Sequence, residues 1–297
     1  MKIMHAATLV VTDLKRSCEL YTEWLEYSVI EKGEIPSDLA ESWGTPKTAG
    51  RPFAVLQPAS GAEVFLRFIE QPAVPEYKAL STYGWNAVEI CTQDTPKVAE
   101  RMEKSPFEII GPPAEIAGLP TIFPMQVKGP DEEIVYLTQI RGDLPNYNLP
   151  RAGSFIDKLF ILVMGCSDFR NSKDWLVNHL DLSAGRDMSI DYTMINKAFG
   201  LPEGTQHEIA TLIHEKDVFL EVDQYPEQAT QRPRHKGMLP PCAAIGTFLH
   251  PDFDRIDDLN KNNWITPPIK RSGPFYNNKR SGTLAAPDGT LIEIVEA

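Results

Sequence analysis

No uninterrupted run of eighteen apolar residues occurs among the 297 of this chain, so it has no segment that would span a bilayer as a helix. Positive charge is also scarce. Lys and Arg number 29 against 41 Asp and Glu, for a net charge of -12 and a pI near 5.0. Such a surface repels phosphate backbones and anionic headgroups, which excludes nucleic acid and membranes as expected partners. Only four cysteines are present, Cys18, Cys91, Cys166 and Cys242, and none forms a CxxC pair. Thiols this scattered point to reduced cysteines, not to a zinc cluster or a disulfide framework. There is no phosphate-cradling glycine loop, no GxSxG and no HExxH, so the commonest nucleotide-binding, hydrolase and zinc-protease signatures are missing. The opening "MKIMHAATLVVTDLKRS" has a short apolar run soon broken by Asp13. It reads as a first strand and not as a signal peptide, and with the free thiols it gives the expectation of a cytoplasmic protein.

What the chain does have is proline and repetition. Its 25 prolines crowd into stretches such as "GPPAEIAGLPTIFP" and "QRPRHKGMLPPC", which predict long ordered excursions between regular elements. An apolar strand running into an Asp and then a helical pattern occurs four times: "HAATLVVTDLKRS", "NAVEICTQDTPKV", "KLFILVMGCSDFRNS" and "AIGTFLHPDFDRI". The Asp in each suits a helix N-cap. After it, "KRSCELYTEWLEY" sets Leu20, Trp24 and Leu25 on one helical face, and "SKDWLVNHLDL" does the same with Trp175, Leu176 and Leu180. Each repeat closes on a strand: "EVFLRFIE", "EEIVYLTQ", "DVFLEVDQ" and "TLIEIVEA". The predicted unit is strand, helix, then about three strands. Two units would form one barrel-like half, with "RGDLPNYNLPRAG" at 141–153 as the link. The expected domains are 1–142 and 154–297, joined by 143–153.

In this fourfold order the chain resembles the vicinal oxygen chelate superfamily, which includes glyoxalases, fosfomycin-resistance proteins, bleomycin-binding proteins and type I extradiol dioxygenases. The resemblance implies an α+β fold of four βαβββ modules paired into two tandem barrels. It also implies a metal in a cupped cavity, held from the first and last strands of the modules. Carried onto this sequence, the N-terminal cup would present His5, Arg67, Asn86 and Tyr136, and the C-terminal cup Lys158, Ala244, Glu221 and Glu293. The two His ligands of the dioxygenases are absent from these positions, so no family-type metal site is expected. A divalent ion (Fe or Mn) on displaced ligands such as His207, His214, Glu221 and Glu293 is the alternative.

Glu293 interrupts the apolar stretch "LIEIV", and a buried carboxylate is costly unless it is paired or put to use. One reading makes Lys158, Glu221 and Glu293 a salt bridge in place of the lost metal. The other makes them an acid–base site, with His207 as a further proton carrier and Tyr276 binding substrate. The N-terminal set suits an anion or carbonyl, with Arg67 as the charged fork, or else a plugged core. Glu89, opposite to Asn86 by strand alternation, is expected to face away from that cup. Three functions follow: a metal-independent lyase or isomerase acting on an aromatic or carbonyl compound, a displaced-ligand metalloenzyme, and a non-enzymatic binder lined by Trp85, Trp264, Phe275 and Tyr276. The partner in each is a small molecule, and a homodimer is compatible with all three.

Overall fold

A computed structural model describes residues 3–116 and 118–297. Four modules follow one another. The first holds β1 (Met4–Val11), α1 (Leu14–Leu25), β2 (Tyr27–Glu34), α2 (Ser37–Ser42), β3 (Pro52–Pro58) and β4 (Phe65–Glu70). The second holds β5 (Gly84–Thr92), α3 (Thr95–Met102), β6 (Glu108–Gly111), β7 (Ile122–Lys128) and β8 (Ile134–Ile140). The third holds β9 (Ile156–Cys166), α4 (Phe169–Leu180), β10 (Ser183–Ala184), β11 (Met188–Asp191), α5 (Thr193–Phe199), β12 (Gln206–His214) and β13 (Asp217–Gln224). The fourth holds β14 (Cys242–His250), α6 (Phe253–Asn260), β15 (Ile269–Lys270), β16 (Arg280–Ala285) and β17 (Leu291–Glu296). This is the α+β arrangement of four βαβββ modules in two barrel-like sheets. No helix of the described residues is long and apolar enough to cross a membrane.

The four aspartates act as predicted. Asp13, Asp94, Asp168 and Asp252 each accept a hydrogen bond from the backbone N–H three residues on, satisfying a donor that the first helical turn leaves free. The helices lay their apolar faces onto one large core, to which Leu25, Val98, Leu176 and Ile256 contribute.

The pairing of modules corrects the sequence reading. The first and fourth modules share one sheet, in the order β15-β16-β17-β14-β1-β4-β3-β2, joined where β1 runs antiparallel to β14. The second and third share the other, β10-β12-β13-β9-β5-β8-β7-β6, joined at β5 and β9. The cups are therefore outer (modules one and four) and inner (modules two and three), not N-terminal and C-terminal. Each module closes a parallel pair between its first and last strands. These pairs set Thr8 beside Arg67, Glu89 beside Tyr136, Val163 beside Glu221, and Thr247 beside Glu293. The first-strand partner thus lies five residues before the capping Asp in every module. His5, Asn86, Lys158 and Ala244 are displaced from that position. The cause is that β1 and β5 are buried at every residue, so no polar alternation marks which face is the cup.

Candidate functional site

The outer cup is filled. Glu293 and Arg67 meet at its centre with Nη2 to Oε2 at 3.1 Å, both side chains nearly inaccessible (1% and 2% exposed). Trp43 Nε1 donates to Glu293 Oε1 at 3.0 Å, Tyr276 OH donates to the same oxygen at 2.9 Å, and Thr247 Oγ1 donates to Oε2 at 3.0 Å. Arg67 Nε donates to Thr8 Oγ1 and Nη1 to Tyr276 OH, and the guanidinium lies against the rings of Trp43 and Phe275. Burial works to raise the Glu293 pKa, but the Arg67 charge and the Trp43, Tyr276 and Thr247 donors outweigh it. The carboxyl is held below its ordinary value and stays ionised. Trp43 arrives on the segment that follows α2, and Tyr276 on the loop before β16. With Leu239 and Phe275 they close the cup with apolar side chains. His5 sits at its edge, its Nε2 on the Phe275 carbonyl, and burial lowers its pKa.

The inner cup differs in charge. Glu89, Glu221 and Asp223 gather there, and among the described residues no Lys, Arg or His forms an ion pair with any of them. Glu89 is buried and its Oε1 accepts from Thr138 Oγ1 at 2.6 Å. Glu221 and Asp223 alternate onto one face of β13, Glu221 half-buried and Asp223 buried. Tyr136 and Tyr192 share a hydrogen bond at 2.6 Å, and Tyr192 OH donates to Glu221 Oε1 at 3.5 Å. Asp223 Oδ1 has no partner. Burial raises Glu89 to about 8, helped by the Glu221 charge. Burial likewise raises Glu221 to about 7, against the hydrogen bonds from its neighbours. Asp223 is raised well above the carboxylate range by burial and then by Glu221. Carboxyl groups of this kind are able to change protonation near neutral pH, which is what acid–base catalysis requires.

The nine residues singled out from sequence separate as follows. Glu221 and Tyr136 lie in the inner cup, although they were assigned to different cups. Glu293, Arg67 and Tyr276 converge in the outer cup, with His5 at its edge. The expected cluster of Lys158, Glu221 and Glu293 does not form. Lys158 instead lines a small surface recess with Asp217 and Leu149. His207 pairs with Ile190 of β11 and lies two residues before Ile209, the partner of Asp223, but its Nε2 is bonded to Asn196 Oδ1 at 2.7 Å. Asn86 is a strut: its Nδ2 donates to the Thr82 and Gly84 carbonyls, and its Oδ1 accepts from Arg232. Glu89 was expected to face elsewhere, yet it faces the inner cup opposite Ile161, because the register shift at Trp85/Ala87 falls on Asn86 and breaks the alternation counted from it. Asp223, Tyr192 and Thr138 were not foreseen. A second acid two residues after Glu221 was the one available signal.

The metal implied by the fold does not fit either cup. In the outer cup the guanidinium of Arg67 already occupies Glu293, and Thr8 is engaged by the same arginine. In the inner cup the equivalent strand positions are Glu89, Tyr136, Val163 and Glu221. Val163 offers no donor, so the first strand of the third module supplies no ligand there. Among the described residues no group of three or more His, Cys, Asp and Glu side chains is placed to hold a metal ion.

No family model matches the sequence, and no curated protein matches it. Solved structures do. A glyoxalase I from Zea mays, solved as a point mutant, is 18% identical with a TM-score of 0.67, covering 99% of this chain and 94% of its own. The same enzyme without that mutation gives 18%, a TM-score of 0.63, and coverage of 100% and 92%. A putative dioxygenase from Bacillus subtilis subsp. subtilis str. 168 is 12% identical with a TM-score of 0.63, covering 99% of this chain and 84% of that one. At such identities the likeness is one of fold.

Proposed function

We propose, for a chain that has the vicinal oxygen chelate fold, that it is an enzyme of small-molecule metabolism. Its chemistry would be metal-independent proton transfer of the isomerase or lyase type on a carbonyl compound, in the inner cup. The observation that carries this reading is the trio Glu89, Glu221 and Asp223, two buried and one half-buried, gathered without a counter-cation among the described residues. Holding such groups in a fold costs stability, and one use for them is a proton carrier with a pKa near the working pH. Glu221, the most accessible of the three, is the base that removes a proton next to the carbonyl. Glu89, neutral at pH 7, gives a hydrogen bond or a proton to the oxygen that gains charge. Tyr136 and Tyr192 supply a paired hydroxyl edge that orients a substrate oxygen.

The test is hydrogen–deuterium exchange. In D2O containing a chelator, the protein should catalyse loss of the α-C–H signal in one or more of a panel of small ketones, aldehydes and hydroxyketones. Proton NMR reads the loss. Exchange that appears only after Mn or Fe is added would reject the reading and favour the displaced-ligand metalloenzyme. Exchange found in no member of the panel would also count against it. Elemental analysis of protein purified without chelator is expected to find well under one equivalent of transition metal.

The pH profile has a defined shape. Turnover requires Glu221 ionised and Glu89 protonated. The rate should therefore rise as pH passes about 7 and fall as it passes about 8, giving a narrow bell in kcat/KM. A rate that is flat from pH 5 to 9 would remove both groups from the chemistry.

A further inference from the structure

A cavity of about 330 Å³ lies in neither cup. It opens where the start of β5 meets β14 and the turn before β17, and Gly84, Trp85, Arg232, Arg234, Asp288 and Thr290 contribute to its wall. From these residues we infer a binding site for a small anion, a carboxylate or phosphate group carried by a metabolite. The inference is independent of the chemistry assigned to the inner cup.

Arg232 is the fixed element. Its Nε donates to Thr82 Oγ1 at 2.9 Å, Nη1 to the Ala243 carbonyl at 2.8 Å, and Nη2 to Asn86 Oδ1 at 2.9 Å. Three of its five N–H donors are spent on holding it, which leaves one N–H on each Nη of a guanidinium whose position is set by the scaffold. All three acceptors are neutral, so its charge is uncompensated by them. Arg234, two residues on and exposed, makes no ion pair or hydrogen bond among the described residues. The acid on the wall, Asp288, is already engaged: it accepts from Ser167 N–H at 2.8 Å, from Ser167 Oγ at 2.7 Å and from Gln231 Nε2 at 3.4 Å. Two cations and one acid thus face the cavity, a local excess of positive charge on a chain of net charge -12.

Two further features suit an occupant. Thr290, 5% exposed, carries a hydroxyl with no partner, and an orphaned hydroxyl in a wall is a donor in want of an acceptor. Gly84 sits at φ +108, and a Cβ there would lie 3.6 Å from the Arg232 guanidinium carbon and 3.7 Å from Thr290 Oγ1. Glycine therefore supplies a backbone shape that other residues resist and keeps the space between the two donors open. A fixed cation, a second cation and a hydroxyl around one opening match the geometry of an oxyanion with two or three acceptor atoms.

The test is titration of the full chain with inorganic phosphate and, separately, with benzoate, at constant ionic strength, followed by backbone amide NMR or calorimetry. Saturable binding of either probe is expected, with perturbed resonances at Gly84, Arg232 and Thr290. Phosphate alone would assign a phosphoryl group, and benzoate alone a carboxylate. Arg234→Gln should weaken binding by about tenfold. Thr290→Val removes only the unpartnered hydroxyl, so it should weaken binding by a few-fold while leaving the thermal midpoint unchanged. This uncharged change separates a built site from general attraction to a basic patch. Absence of saturable binding of both probes, or unaltered affinity in either variant, overturns the inference.

Discussion

Glu221→Gln is expected to lower kcat on the responding substrate by about two to four orders of magnitude, the range for removal of a positioned general base. Gln keeps the shape and the contact with Tyr192 but cannot accept a proton. The loss should fall on kcat and kcat/KM together, since the proton moves only in the transition state. The change should not harm the fold. The carboxyl is raised from 4.5 to about 7 in the folded chain. Its protonated form therefore supports folding fully below pH 4.5, and that support is lost as pH rises through 7. The variant should match the parent in chemical unfolding at low pH and equal or exceed it at pH 8. Full activity in Glu221→Gln, or a rise in KM alone, would show that the inner cup binds but does not carry out the proton transfer.

The largest expected effect on stability is in the other cup. Arg67→Met leaves Glu293 ionised and enclosed, with its cation gone and only the neutral donors Trp43, Tyr276 and Thr247 beside it. Breaking a buried pair from one side costs about 3–5 kcal/mol, because the remaining charge is uncompensated. Urea unfolding at pH 8 should show a loss of that order with an unchanged m-value. In the parent, the depressed Glu293 pKa adds stability that is present above the unfolded pKa and lost as pH falls. In the variant the carboxyl loses the cation that held it down and titrates higher, so the deficit should shrink in acid. Adding Glu293→Leu to Arg67→Met should recover most of the loss. If the single change is silent, the pair is not what fills the outer cup.

Several features were legible from residues alone. The recurrence of strand, Asp and helix identified four modules, and the helix caps at Asp13, Asp94, Asp168 and Asp252 form as read. Arg67, Tyr136, Glu221 and Glu293 hold equivalent places in the closing strands, each paired with the first-strand residue five before the capping Asp. The oddity of Glu293 within "LIEIV" was a real signal that the residue is enclosed. Its partner was not legible. Arg67 lies 226 positions away, and nothing in a local pattern ties a cation of the first module to an acid of the fourth.

Local physics wrote the modules. Hydrophobic periodicity, capping side chains and turn residues act over a few positions, so they can be read from the sequence one unit at a time. How the modules combine is decided by long-range contacts. Four similar units can pair as one with two and three with four, or as one with four and two with three, and either choice buries the same kind of strand. The contacts β1 with β14 and β5 with β9, pinned by bonds such as Trp85 Nε1 to the Leu291 carbonyl at 2.8 Å, select the second. That choice sent Arg67 to Glu293, where opposite charges cancel in a closed core. It left Glu89, Glu221 and Asp223 together with no cation paired to them among the described residues. Local pattern in the sequence marked Glu293 as an enclosed carboxylate, and the tertiary pairing decided which carboxylates would share its burial and which would be neutralised.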